Sequence, residues 1–325
     1  MANIKDIAKL ANVSVSTVSR VLNNHSYVSE EKRKVIMEAI DRLDYSRNMN
    51  AVQLLKGKTN VIAVMLPFIN HPYFTRLVEG ISVEALKVNY QLMLCQTNYN
   101  TEAEMKVLEM LKMKQIDGMI ICSKHIDLNQ IEAYTRYGPI VACQDVGQSR
   151  VSSVFSDHYK SFQCGIRYLI NKGHRYIGLC LARNQGDNSQ MRRKAYTDEL
   201  ASIGEPIRDE WIFHQTYRIE DGVEVLRNLL ELNSRPTAMM VTSDQAAAGI
   251  IMEARKNNIR VPEDLAIIGF DNQPIAEVFD LTTIENQLPE MGAIAFQIGY
   301  DQITRKKEQP ENRELEYRLI ERATV

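Results

Sequence analysis

The sequence predicts an all-α helix-turn-helix headpiece followed by a two-lobed α/β core with parallel sheets. Three observations carry that expectation. The 325 residues exceed one typical domain of about 150 residues. The opening segment reads as three short helices with no strand-like run between them. From Val61 onward, apolar runs of strand length alternate with helical stretches in two successive series, the pattern of parallel sheets covered by helices on both faces.

Composition narrows the function classes. Apolar residues are 45% and charged residues 25%, an ordinary globular balance that permits sizeable cores. The longest strongly apolar run, 61–69, is about half a bilayer span and contains Pro67, so no membrane helix is expected. The N-terminus carries Lys5 and Asp6 where an export signal needs apolar residues, which points to a cytoplasmic, nucleoid-associated protein. Five cysteines, an odd number with no CxxC pair, suggest free thiols in a reducing compartment. The six histidines are scattered singly, and no HExxH, GxGxxG, Walker or GxSxG motif is present. No cofactor, metal or catalytic residue is expected.

Charge divides unevenly. Residues 1–58 hold ten Lys or Arg against six Asp or Glu, and the remainder 29 against 35, so a basic head precedes an acidic body. That asymmetry suits a nucleic-acid partner, although a solvated lysine-rich face produces it too. In the head, Asn12 suits a left-handed turn, Ser14 is placed to cap a helix starting at Val15, and Ser29 to cap a third helix with Glu30 and Glu31 at its positive end. An apolar stripe of Val35, Ile36, Ala39, Ile40 and Leu43 marks the inner face of that third helix. In the second helix, Val18, Val21 and Leu22 face one way, and Val15, Ser16, Ser19 and Arg20 the other, at about 100° per residue. Short and hydrogen-bonding residues with one arginine suit a base edge better than a merely wet face, since arginine bonds guanine in two places. The alternative is a bundle that docks protein.

Two segments, Ile4-Lys5-Asp6-Ile7-Ala8 and Val13-Ser14-Val15-Ser16-Thr17-Val18-Ser19-Arg20-Val21-Leu22-Asn23, resemble the headpiece of the LacI/GalR family of bacterial transcription regulators. The resemblance implies that Val15, Ser16 and Arg20 read base edges. It implies that Thr17, Ser19, Asn23 and Tyr45 mainly hold phosphates. The tract 45–58 resembles the family hinge, with Asn48, Ala51 and Leu54 as DNA contacts and Leu54 as the apolar wedge in the minor groove. Arg47 and Val52 depart from the usual proline and basic residue, and a flexible linker fits the same tract.

In the body, strand-like runs fall at 61–66, 91–95, 118–122 and 140–143, with helices at 73–89, 102–114 and 128–137. A second series has strands at 176–181, 238–242 and 265–270. Asn70-His71-Pro72-Tyr73-Phe74, Gly173-His174-Arg175-Tyr176-Ile177, Pro236-Thr237-Ala238, Ile268-Gly269-Phe270-Asp271-Asn272 and Leu281-Thr282-Thr283-Ile284 are similar to landmarks of that family's periplasmic-binding-protein-like core. The opening residues and 90–100 look most like the Gram-positive catabolite control proteins. The resemblance implies an effector site with Arg192 and Asp271 on polar groups, Ser243 and Gln144 as further contacts, and Tyr73 and Phe74 as an apolar wall. Gln144 stands where an aspartate is common. On the residues alone, Arg192 also fits a surface position, and Tyr73 and Phe74 the start of a buried helix. Asp157 reads as a helix cap.

The expected boundaries are 1–46 for the headpiece, 47–59 for the hinge and 60–325 for an effector-binding and dimerisation core. One lobe takes about 60–158 and 288–314, the other about 159–287 and 315–325. The expected function is sequence-specific regulation of carbohydrate or catabolite genes, with repression of a near-palindromic operator in double-stranded DNA by a homodimer. A sugar or sugar phosphate is one expected modulator. A phosphorylated phosphocarrier protein, met by a basic residue such as Arg76, is another. A sugar-binding transport protein and a sugar-processing enzyme are the alternatives on the same two-lobed core.

Overall fold

The head is a three-helix unit in the computed structural model, which describes residues 2–23, 25, 27–45, 57–307 and 309–325. Contacts divide the chain into Met1–Lys58 and Thr59–Val325. The hinge positions Arg47, Asn48, Ala51, Val52 and Leu54 lie outside the described residues.

Helix α1 (Ile4–Leu10) starts from a reciprocal cap: the Asn3 side chain accepts from the main chain of Lys5 and Asp6, and Asp6 accepts from the Asn3 amide at 2.9 Å. Asn12 takes the left-handed turn at φ +51°. Ser14 caps α2 (Val15–Leu22) by accepting from Thr17 N at 3.2 Å. Helix α3 (Glu30–Arg42) differs from expectation at its start, because Ser29 makes no side-chain cap bond. Ile7, Val18, Val21, Ile36 and Ala39 fill the small core. Val35 is not part of it and is 41% exposed, since one step of about 100° from Ile36 turns it off the inward arc.

In the body, β1 (Val61–Leu66), α4 (Pro72–Lys87), β2 (Gln91–Gln96), α5 (Thr101–Lys112), β3 (Gly118–Ile121), α6 (Leu128–Glu132), β4 (Ile140–Ala142) and β5 (Ser152–Ser156) come first. They are followed by α7 (His158–Asn171), β6 (Ile177–Leu181), α8 (Asp187–Ser202), β7 (Ile212–His214), α9 (Ile219–Glu231), β8 (Ala238–Val241), α10 (Asp244–Lys256), β9 (Ala266–Phe270), α11 (Pro274–Val278) and β10 (Thr283–Glu285). Helix α12 (Leu288–Ile303), β11 (Asn312–Leu315) and β12 (Arg318–Ile320) complete the chain. Helix α6 is shorter than the expected 128–137, with turns carrying the chain past Glu132.

Two six-stranded sheets result, ordered β11-β5-β4-β3-β1-β2 and β12-β10-β9-β8-β6-β7. Every pairing is parallel except β10 with β12. Helices cover both faces, so β3, β8 and β9 are buried along their whole length and read as continuous apolar runs. The chain passes between the sheets three times: from β5 to α7, from β10 to α12, and from β11 to β12. Asp157 caps α7 at the first passage, accepting from the amides of Tyr159 and Lys160. Asp117 ties down the start of the body, accepting from Thr59 N, Thr59 Oγ1 and Asn60 N at 2.7–2.9 Å.

Each lobe contains a helix crossing built on a reciprocal pair of glycines. A Cβ on Gly80 of α4 would stand 1.8 Å from Pro289 O of α12, and one on Gly292 of α12 would stand 2.1 Å from Leu77 O of α4. In the second lobe, Gly222 of α9 and Gly249 of α10 would meet Ala246 O and Ile219 O at 1.9 and 2.0 Å. Backbone therefore lies directly on backbone, and no side chain can yield to make room. Gly80→Ala and Gly222→Ala are each expected to destabilise the protein by about 1–3 kcal/mol or more, read as a lower urea midpoint.

Candidate functional site

In the head, the outward arc of α2 presents Val15, Ser16 and Arg20 to solvent, with Ser19 and Thr17 half-buried beside them. The Ser14 hydroxyl lies 2.8 Å from both Ser16 Oγ and Thr17 Oγ1, and Asn23 Nδ2 donates to Ser19 Oγ at 3.4 Å. Arg20 forms no ion pair among the described residues, so its guanidinium is free for an incoming acceptor. Tyr45 is half-buried against the head core. Tyr27, in the turn after α2, is 94% exposed and was not among the expected contacts; a lone aromatic in a polar turn was the available signal.

In the body, parallel strands send their carboxyl ends to a common cleft of about 290 Å³ between the two sheets. Phe68 follows β1, Tyr99 follows β2, Cys122 and Lys124 follow β3, and Gln144 follows β4. From the other lobe come Arg183 after β6, Tyr217 after β7, Thr242 after β8 and Asp271 after β9. The N-termini of α4 and α8 complete the lining with His71, Tyr73, Phe74, Asp187 and Arg192. Of the expected contacts, Tyr73, Phe74, Gln144, Arg192 and Asp271 line this cleft. Ser243 does not: its hydroxyl donates to Tyr217 O at 2.8 Å and accepts from Ala246 N as the cap of α10. The residues that sequence reasoning missed, among them Phe68, Tyr99, Lys124, Arg183 and Tyr217, each follow a strand, and that position was the signal.

One wall is aromatic. Phe68 meets Tyr99 and Tyr217 edge-on, and Tyr217 also meets His71, so rings from both lobes touch. The Arg183 guanidinium lies 3.9 Å from the centre of the Tyr99 ring. Asp187 of α8 reaches the opposite lobe, with Gln144 Nε2 at 3.4 Å and Lys124 Nζ at 4.0 Å. The floor is charged and buried. Arg192 lies over Phe270 with 4.5 Å to the ring centre. Burial lowers the Arg192 pKa, which nearby Asp271 and Tyr73 oppose. Burial pushes the Asp271 carboxyl up to about 6, against the pull of Arg192 and the hydrogen bond from Asn286. Burial and Arg218 lower His71 to about 4, and its Nδ1 accepts from Tyr73 N at the start of α4. Stacking faces beside a few buried, directional polar groups suit a small polyhydroxylated ligand.

Among the described residues no helix is long and apolar enough to cross a membrane. None of their His, Cys, Asp and Glu side chains forms a group of three or more that could hold a metal ion. The five cysteines are free thiols, with Cys122, Cys143 and Cys180 buried.

Residues 59–323 match the periplasmic binding proteins and sugar binding domain of the LacI family, and residues 3–48 match bacterial regulatory proteins of the lacI family. The chain belongs to the LacI family. It is 44% identical to the HTH-type transcriptional regulator YkvZ of Bacillus subtilis (strain 168) over all of both chains. It is 40% identical to catabolite control protein B of the same organism over 92% of this chain and 94% of the relative. A LacI family transcriptional regulator from Lactobacillus casei, solved with bound glucose, superposes with a TM-score of 0.75 at 27% identity, covering 82% of this chain and 99% of that one. This LacI-family member is therefore a DNA-binding transcriptional regulator close to the catabolite control proteins of Gram-positive bacteria, and it is not an enzyme.

The Asp271 environment predicts a pH effect. Its carboxyl titrates higher in the folded chain, about 6 against an ordinary 3.8, so its contribution to stability is full below 3.8 and is lost as pH rises through about 6. Asp271→Asn removes that loss. The variant is expected to melt higher than the wild type at pH 7.5, with the advantage shrinking towards pH 4. Thermal melts across that range check the sign.

Proposed function

We propose that the protein represses carbohydrate or catabolite genes as a homodimer on a near-palindromic operator, and that a sugar or sugar phosphate in the cleft modulates it. The observation that carries the DNA half is the outward arc of α2, where Val15, Ser16 and Arg20 stand free of the head core. Val15, Ser16 and Arg20 read base edges, while Thr17, Ser19, Asn23 and Tyr45 hold phosphates. Asn48, Ala51 and Leu54 contribute minor-groove contacts from the hinge. Action on chromosomal DNA places the protein in the cytoplasm, at the nucleoid.

The cleft supports the effector half: aromatic faces suit the apolar face of a sugar ring, and Arg192, Asp271 and Gln144 suit its hydroxyls. The glucose-bound relative supports the same ligand class. An effector acts only through a difference in its affinity for two states of the regulator. For a phosphorylated phosphocarrier protein, Arg76 is an exposed cation whose surface pairing with Glu79 at 2.7 Å is weak enough for a phosphate to displace. For the dimer, α4 and the edge strand β2 leave Val83, Leu86, Met93 and Leu94 exposed, an apolar surface suited to a second copy of the chain.

Binding-site selection from randomised duplex DNA, followed by anisotropy across a salt series, tests the DNA half. The expected outcome is a short near-palindrome whose affinity falls steeply with salt. Arg20→Ala is expected to cost about 1–3 kcal/mol and to relax preference at one base pair. Equal weakening on every sequence would assign Arg20 to a phosphate instead. Leu86→Glu with Met93→Glu is expected to shift the sedimentation velocity from dimer towards monomer, and an unchanged dimer would place the interface elsewhere.

A further inference from the structure

Two hydrogen bonds join the charged floor of the cleft to the passages between the lobes. Arg192 Nη2 lies 3.2 Å from Nδ1 of His158, the first residue of α7 after the first passage. Asp271 Oδ1 accepts from Nδ2 of Asn286 at 2.9 Å, and Asn286 lies in the second passage, between β10 and α12. The passages are themselves linked, because Ser156 Oγ donates to Asn286 O at 3.4 Å. All four side chains are buried, with exposures of 8% for Arg192, His158 and Asp271 and 1% for Asn286.

The chemistry of the first bond fixes the state of the imidazole. A guanidinium has only donors, so Nδ1 must present its lone pair and the ring proton must sit on Nε2. The surroundings agree, since burial and the neighbouring Arg192 hold the His158 pKa well below its ordinary range. The imidazole ring lies 6.0 Å from Phe270, the ring over which the guanidinium also rests. Arg192 is thus held by a neutral acceptor and an aromatic face, with no direct carboxylate partner among the described residues. Its Nε has no hydrogen-bond partner among the described residues, and neither has Asn286 Oδ1. Leaving a buried donor unsatisfied is costly, which favours a ligand that engages Arg192 Nε, since Arg192 lines the cleft and Asn286 does not.

We infer that His158 and Asn286 are positioning residues, which set the orientations of Arg192 and Asp271 for the effector and tie both to the passages that hinge the lobes. The inference rests on the reading of the cleft as an effector site. Effector engagement of Arg192 and Asp271 then pulls on both passages together, which links occupancy to the angle between the lobes. Neither residue touches the effector.

The test compares His158→Phe, which keeps a ring against Phe270 and removes the acceptor, with His158→Asn, whose Oδ1 can stand near the Nδ1 position. In the ligand-free full-length protein, the Arg192 Nη2–Hη signal in nitrogen-15 NMR, assigned by its loss in Arg192→Lys, is expected to be slow-exchanging because it donates to His158 Nδ1. It is expected to vanish or broaden in His158→Phe and to return in His158→Asn. By calorimetry with D-glucose and sucrose, a sugar that binds the wild type is expected to bind at least tenfold more weakly to His158→Phe and to Asn286→Ala. A persistent Arg192 signal in His158→Phe, or wild-type sugar affinity in both variants, overturns the inference. If neither sugar binds the wild type, the choice of effector fails, while the NMR comparison still decides the role of His158. Should His158→Phe not fold, Asn286→Ala carries the test through the Asp271 carboxyl: its carbon-13 titration is expected to move up on loss of the hydrogen bond, and an unmoved titration counts against positioning.

Discussion

Parallel pairing is the constraint on which the rest of this molecule depends. A parallel strand cannot be followed by a tight turn to its neighbour, so each must be followed by a return across a face of the sheet. All the carboxyl ends then gather along one edge. Two such sheets bring eight strand exits and two helix starts to one cleft, and the residues there come from positions spread between Phe68 and Asp271. The returning helices must in turn lie close, and the paired glycines of α4 with α12 and of α9 with α10 allow this by placing backbone against backbone.

Two aspartates show how the same fold treats one chemical group in two ways. Asp244 is wholly buried and uses both oxygens, accepting from Gln273 N at 2.6 Å and Thr283 Oγ1 at 2.7 Å. Burial still lifts its carboxyl to about 8, against the pull of those hydrogen bonds, and it joins α10 to the exit of β9 as a strut. Asp271 accepts one protein hydrogen bond, from Asn286, and lines the cleft. Its environment leaves it able to change charge near neutrality, which suits a group that meets a ligand. Both sit next to apolar strand ends, and the sequences around them do not distinguish strut from contact.

The head and the central strands were legible because their signals are local. Alternating burial in α2 follows from its 100° periodicity, and the apolar runs at β1, β3, β8 and β9 announce strands covered on both sides. The strand β5, Ser-Ser-Val-Phe-Ser, gave no such signal: its serines are buried and find partners far along the chain, as when Ser153 Oγ donates to Asn312 at 3.0 Å. The short β7, β10, β11 and β12 were likewise hidden, because their pairing is decided by tertiary position. Ser243 illustrates the converse. Its place after a strand marks it as a ligand contact, yet a helix begins at the next residue and claims the hydroxyl. Arg183 and Lys124 were passed over because surface lysines and arginines look the same in sequence, although Lys124 has only 11% of its side chain exposed.

The three passages also determine when each lobe can become complete during synthesis. The first sheet begins at Val61, but its edge strand β11 and the helix α12 that crosses α4 come only after all of the second lobe except its last strand has been made. The second sheet waits longer, because β12 and Thr324 close it, with Thr324 Oγ1 donating to Ile267 O at 2.7 Å and accepting from Thr282 N at 2.9 Å. Each lobe must therefore remain an open sheet with exposed apolar helix faces until the segments around α12, β11 and β12 have been made, the kind of surface that invites misassociation during folding.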